Sequence, residues 1–158
     1  MTNLLKDFNE SKIQEIFKNE DLDTSRVNYS EVVEKLEKFD SKQWAFFKFL
    51  GCDLEDVDSI SEMEIDTDEI EYNGQYYLIL TDDEADSRWE QELDWYLEEC
   101  IYPELPENMR YYFDDEKWKR DARYDGRGNA ISHYDGCEYC EHVDFEDGES
   151  DEIYIYKM

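Results

Sequence analysis

The 158-residue sequence predicts an α+β fold: one small antiparallel sheet from two hairpins, a long amphipathic helix, and an N-terminal helical layer. Three observations carry that expectation. Asn73-Gly74 lies between two β-forming runs, the strongest short-range hairpin signal. Thr81 and Glu84 have the spacing of a capping box and open a long stretch of helical periodicity. The chain also holds 13 Tyr, 8 Phe and 4 Trp against only 2 Pro and 6 Gly. High charge and low hydropathy alone point to disorder. Rings that each bury a large area supply the core that a disordered acidic chain lacks.

Residues 1–52 read as the helical layer. Ser11 to Lys18 carries Ile13, Ile16 and Phe17 at helical spacing. Asn28 or Ser30 caps a second helix through Val32, Val33, Leu36 and Phe39. Ser41 caps a third, with Trp44, Phe47 and Leu50 on one face and Gly51 as its stop. Charge is nearly balanced here, with eight basic and ten acidic residues in 1–50.

Residues 53–158 read as an acidic α+β domain, forming one compact unit with the helical layer. The stretch 53–68 is acidic and poorly periodic, so it is expected as a surface loop or short turn. Glu69 to Tyr72 and Gln75 to Leu80 make the first hairpin. The helix opened by Thr81 runs to about Ile101, before Pro103. Its apolar stripe is Ala85, Trp89, Leu93, Tyr96, Leu97 and Cys100. Beside it runs an acidic stripe, Asp83, Asp86, Glu90, Asp94 and Glu98, along a helix of about 30 Å. Residues 104–113 read as a loop with a short turn. A helix follows from Asp115 to Arg123, with Trp118 buried and Lys117, Lys119, Arg120 and Arg123 around it. Residues 125–129 read as a turn-rich loop. Glu138 to Phe145, a turn at Asp147-Gly148, and Glu152 to Tyr156 complete the second hairpin.

Formal net charge is −29, and it is concentrated. Residues 53–109 hold 21 acidic residues and one basic residue, Arg88. Such a segment folds against its own repulsion. Its field excludes nucleic acid and membrane surfaces as direct partners and favours a cationic protein. About 10 bp of B-form DNA offers about 20 phosphates, similar in number to these carboxylates. The arginine fork that grips phosphate also pairs with carboxylate. A second acidic patch, Asp53, Glu55, Asp56, Asp58, Glu62 and Glu64, accompanies the helix stripe. The bland alternative for both is a solvated surface.

No apolar run reaches the ~18 residues of a membrane span, and the N-terminus lacks a signal peptide's apolar stretch. Four cysteines without a secretory signal suggest reduced thiols in a cytoplasm. His133, Cys137, Cys140 and His142 offer zinc-type ligands, the thiols at C-x2-C spacing, although one residue between Cys140 and His142 is tight for a single ion. The alternative is plain strand residues and no cofactor. Asp144 to Glu149 lacks calcium-loop spacing and reads as a hairpin turn. No nucleophile-base arrangement stands out, so the chain is expected not to be an enzyme. The cluster Lys117 to Arg127 pairs internally with Asp114, Asp115, Glu116, Asp121 and Asp125, or else docks a second acidic copy as a homodimer.

The run Tyr76 to Asp86, YYLILTDDEAD, resembles a strand–helix junction of small uncharacterised phage and prophage proteins, as does Arg120 to Gly136, RDARYDGRGNAISHYDG. Tyr112 to Asp121, YFDDEKWKRD, is similar to the end of ArdA-type antirestriction proteins. This likeness covers about half the chain, from Tyr76 onward. It implies a phage or mobile-element protein at work in the host cytoplasm, where acidic DNA mimics block restriction or CRISPR effectors. The expected function is therefore non-enzymatic inhibition of a basic nucleic-acid-binding protein, a host nuclease or CRISPR effector, by DNA or RNA mimicry. An acidic adaptor that binds a basic protein without mimicry, and a small zinc-stabilised domain, stand beside it.

Overall fold

The structure, a computed structural model, describes residues 4–19 and 28–158. Over these residues the protein is α+β, with eight α-helices and a four-stranded sheet. The strands are β1 (Ile70–Tyr72), β2 (Gln75–Thr81), β3 (Tyr139–Asp144) and β4 (Ser150–Lys157), in the order β1-β2-β4-β3. Both hairpins form where the turn signals lie. In the first, Ile70 pairs with Tyr77 and Tyr72 with Gln75. Asn73 (φ +50°) and Gly74 (φ +83°) both take positive φ, the conformation that a two-residue turn matched to the strand twist requires.

The chain divides into two compact units. The first comprises Met1–Asp68 and Cys140–Ile153, the second Glu69–Tyr139 and Tyr154–Met158. Residues 53–68 thus group with the N-terminal helices rather than with the first hairpin, and β4 contributes to both units.

In the first unit, α1 (Glu10–Asn19), α2 (Tyr29–Glu37) and α3 (Ser41–Phe49) follow the expected order. Asn28 caps α2, its side chain accepting from the Ser30 amide at 3.0 Å. The cap of α3 is Asp40, not Ser41. Its carboxylate accepts from the Gln43 amide at 2.8 Å, and the Gln43 side-chain oxygen accepts from the Asp40 amide at 2.9 Å. A carboxylate with a reciprocal partner three residues on outcompetes a lone serine hydroxyl. Phe8, Phe39, Trp44 and Phe47 are buried in edge-to-face contacts, Phe39 and Trp44 with centroids 5.3 Å apart. Leu5 bridges to Phe145, and the Lys6 amide donates to the Asp144 carbonyl at 2.9 Å.

The stretch 53–68 corrects the sequence expectation of a loop. A single 3-10 turn, Leu54–Asp56, leads into a short helix, α4 (Val57–Ser61). Leu54, Val57 and Ile60 recur every three residues and are buried, so the run has a helical face that its acids conceal.

In the second unit, the capping box of Thr81 and Glu84 opens α5 (Asp82–Tyr96). The helix then widens into a π-type turn, Leu97–Ile101, and closes with a 3-10 turn holding Pro103. Leu78, Leu80, Ala85, Ile131 and Tyr156 form a core, with Trp89, Tyr154 and Met158 against it. The loops expected at 104–113 and 125–129 contain short helices, α6 (Glu107–Arg110) and α8 (Arg127–Ile131). Between them lies α7 (Asp115–Ala122), extended by a 3-10 turn, Arg123–Asp125. Gly128 hides α8 from a sequence reading. It is there for close approach, since a Cβ would stand 2.7 Å from the Glu138 nitrogen and 2.9 Å from the Cys137 carbonyl carbon. No helix among the described residues is long and apolar enough to cross a membrane.

Candidate functional site

The two acidic stretches lie in different units and are held in different ways. In the first unit, buried Leu54, Val57 and Ile60 anchor the 53–64 patch, while Asp53, Glu55, Asp58, Glu62 and Glu64 are exposed and Asp56 is half-buried. The buried Gln43 amide donates to the carbonyls of Ile60 at 3.0 Å and Met63 at 3.2 Å, which ties the patch to α3. Asp53 accepts from the Glu55 amide at 3.0 Å and so caps the turn. Asp58 is ion-paired with Lys35, and that hydrogen bond raises the lysine's pKa. Asp53, Glu55, Glu62 and Glu64 form no ion pair among the described residues.

In the second unit, the helix stripe is largely satisfied from within. Lys119 Nζ lies 2.6 Å from Glu90 and 2.5 Å from Asp94, and Arg123 also bridges to Glu90. Lys119 is only 7% exposed, so the buried residue of α7 is Lys119, whereas Trp118 is half-buried. The hydrogen bonds that Lys119 donates to Asp94 and Glu90 push its pKa up against the opposing effect of burial. Arg127 holds Asp82 at 2.9 Å and Asp86 at 2.8 Å. Its Nε and Nη2 form a fork onto Glu138, both at 2.9 Å, and its guanidinium lies 4.5 Å from the Tyr154 ring centroid. The Tyr156 hydroxyl donates to the same Glu138 at 3.0 Å. Burial raises the Tyr156 pKa first, and the Glu138 carboxylate raises it further.

The basic cluster therefore does pair internally, but mostly with the carboxylates of α5 and with Glu138 rather than with Asp114 to Asp125. Residues near in sequence were the expected partners; lateral neighbours supply the real ones. Of the helix stripe, Asp86, Glu90 and Asp94 are held in this way, while Asp83 and Glu98 are exposed and form no ion pair among the described residues. Among the carboxylates of 53–109, Asp58, Asp82, Asp86, Glu90, Glu92 and Asp94 are held in ion pairs.

The apolar stripe of α5 divides in a similar way. Ala85, Leu93 and Leu97, eight and four residues apart on one row, are buried, while Tyr96, one position off that row, is 45% exposed. It stacks on Trp118 at 5.5 Å and 10°. Beside this stack opens a cleft of about 620 Å³, bordered by Trp95, Asp121 and Asp125. Sequence reasoning passed it over, although Trp118, Asp121, Ala122 and Asp125 recur at helical spacing on one face.

Of the zinc-type residues, His133 Nε2 lies 3.6 Å from Glu92 and His142 Nδ1 3.4 Å from Glu152. Cys137 and Cys140 are exposed thiols. Among the described residues, no group of three or more His, Cys, Asp or Glu is arranged to hold a metal.

The second unit is thus an acidic helical surface braced by a few cations and studded with exposed rings. Comparison with protein-family models, with curated proteins and with solved structures gives no match for the chain.

Proposed function

We propose that this protein is a non-enzymatic inhibitor that occupies the nucleic-acid-binding surface of a basic host defence protein, a nuclease or CRISPR effector, by acidic DNA or RNA mimicry. One observation carries the reading: the dense charge of 53–109 sits largely on regular elements, with Asp53 capping the Leu54–Asp56 turn and Thr81 capping α5. In the 53–64 patch, exposed carboxylates stand on a buried apolar footing. Rigid anions match a phosphate-binding surface better than a floppy acidic tail, which loses ordering entropy on binding.

The contact set shifts with the ion pairs. Asp86, Glu90 and Asp94 serve as internal struts, so reversing them to Lys would oppose Lys119, Arg123 and Arg127 and disturb the fold. The test belongs at Glu55, Glu62 and Glu64. Their combined replacement by Lys is expected to abolish capture of the basic partner while leaving the melting curve in place. Capture that survives the reversal marks this patch as merely solvated.

A second reading, an adaptor that binds a basic protein by specific contacts, is favoured by a separate observation. Trp95, Tyr96, Tyr111, Tyr112, Tyr124 and Tyr134 are all exposed in the second unit. Phosphate mimicry by itself calls for no such rings, whereas protein interfaces are enriched in them. Displacement by nucleic acid separates the two, because a mimic is competed off and an adaptor need not be.

A further inference from the structure

We propose that the cleft between α5, α7 and α8 is a receptor for an arginine side chain of a basic partner. This deepens the functional reading without depending on mimicry, since it asks only for a cationic protein.

Three features meet there. The first is an aromatic lining, Tyr96 stacked on Trp118, with Trp95 also lining the cleft and 57% exposed. The second is charge. Asp121 and Asp125 border the cleft, are exposed, and form no ion pair among the described residues. Glu92, which also lines it, already holds Arg88 at 3.0 Å. The third is the absence of any lysine or arginine from the lining. The helix segregates its own cations: Lys119 and Arg123 turn to Glu90 and Asp94, while Trp118, Asp121 and Asp125 border the cleft.

The volume, about 620 Å³, falls in the range of ligand pockets and admits a side chain with its flanking residues. Arginine suits the lining better than lysine. A guanidinium stacks on an aromatic face while its edge donates two hydrogen bonds to carboxylate, whereas an ammonium is a compact, strongly hydrated point charge. The pair Asp121 and Asp125 supplies the carboxylates and the stack supplies the face.

The test uses the full chain and two blocked tripeptides, acetyl-Gly-Arg-Gly-amide and acetyl-Gly-Lys-Gly-amide, titrated at equal ionic strength with indole NMR resonances as readout. The arginine peptide is expected to shift the Trp95 and Trp118 indoles and to bind several-fold tighter than the lysine peptide. Replacing Asp121 and Asp125 by Asn is expected to weaken it about tenfold, as loss of charge-assisted hydrogen bonds implies. Replacing Glu10 and Glu31 by Gln removes the same charge outside both the cleft and the 53–64 patch and should leave binding within about twofold. Equal binding of the two peptides, or equal losses in the two double variants, would mean diffuse attraction to an acidic protein and would overturn the cleft as a site. A loss of the arginine preference in Trp95→Ala, with an unchanged melting curve, supports the stacking contact; an unchanged preference removes Trp95 from it. Failure here leaves the carboxylate patch of 53–64 untouched, because that reading is scored by partner capture and not by tripeptides.

Discussion

The two compact units use the same residue types in opposite ways. Both are strongly acidic, yet eighteen of the buried hydrophobic residues belong to the first and ten to the second, among the described residues. The first unit puts its rings inside: Phe8, Phe39, Trp44 and Phe47 interlock edge to face. The second puts many of its rings outside. Among the described residues, every exposed large hydrophobic one, from Tyr76 to Tyr134, belongs to it. It is braced by Lys119 and Arg127, each nearly buried and each holding two or more carboxylates. The difference teaches that a chain rich in both charge and aromatics need not spend its rings on a core. Where cations fasten the helices, aromatics are released to the surface, and surface aromatics among acids are the makings of an interface.

Substitutions can break this comparison at several points. The largest effect is expected in the first unit. Trp44→Ala removes the centre of the aromatic cluster and should cost about 3–5 kcal/mol in denaturant unfolding. Trp95→Ala, in contrast, should fall within about 0.5 kcal/mol of the parent, as an exposed residue does. A large loss from Trp95→Ala would show that the exposed rings are structural after all.

Next comes Arg127→Ala, which strands Glu138 beside Tyr156. It should cost about 3 kcal/mol, the order found when one partner of a buried pair is removed. Arg127→Lys should rescue only part of that loss, because an ammonium cannot reproduce the fork onto Glu138. Full rescue would mean that charge alone, not geometry, braces the second unit. Gly128→Ala should cost about 1–3 kcal/mol, since the new methyl meets backbone that cannot move aside cheaply.

The smallest effect is one of pH. The Tyr102 phenol donates to Asp115, and that hydrogen bond raises its pKa to about 12. Tyr139 donates to Asp135 at 2.7 Å, and its pKa is likewise raised to about 12. A phenol with a raised folded pKa stabilises the fold below its ordinary pKa of 10.0, and that contribution is lost as pH climbs toward 12. Absorbance titration should show Tyr102 and Tyr139 among the late-ionising tyrosines, with one fewer late ionisation in each of Tyr102→Phe and Tyr139→Phe. An unchanged curve in either variant contradicts the hydrogen bond assigned to it.

The sequence was most legible where local chemistry decides structure. Asn73-Gly74 and the Thr81–Glu84 box mark their turn and helix start directly, because each acts through its own backbone. The cap of α3 was misassigned between neighbours, Ser41 for Asp40, since both are capping types. The helix at 57–61 was missed because its acids obscured the spacing of Leu54, Val57 and Ile60. The partners of Lys119 and Arg127 were not legible at all. They lie 25 to 45 residues away in sequence on another helix, or on the strand side at Glu138, and only tertiary packing selects them. The same packing pairs three residues of the acidic stripe with cations, and opens the cleft beside Tyr96 and Trp118.

The most direct test is capture of a basic partner from bacterial lysate at moderate salt, followed by challenge with excess duplex DNA and, separately, RNA. Mimicry predicts that one nucleic-acid-binding protein is retained, that nucleic acid releases it, and that the Glu55, Glu62 and Glu64 reversal no longer captures it. A partner that stays bound through the excess of both nucleic acids contradicts mimicry and leaves the exposed rings of the second unit as the basis of recognition.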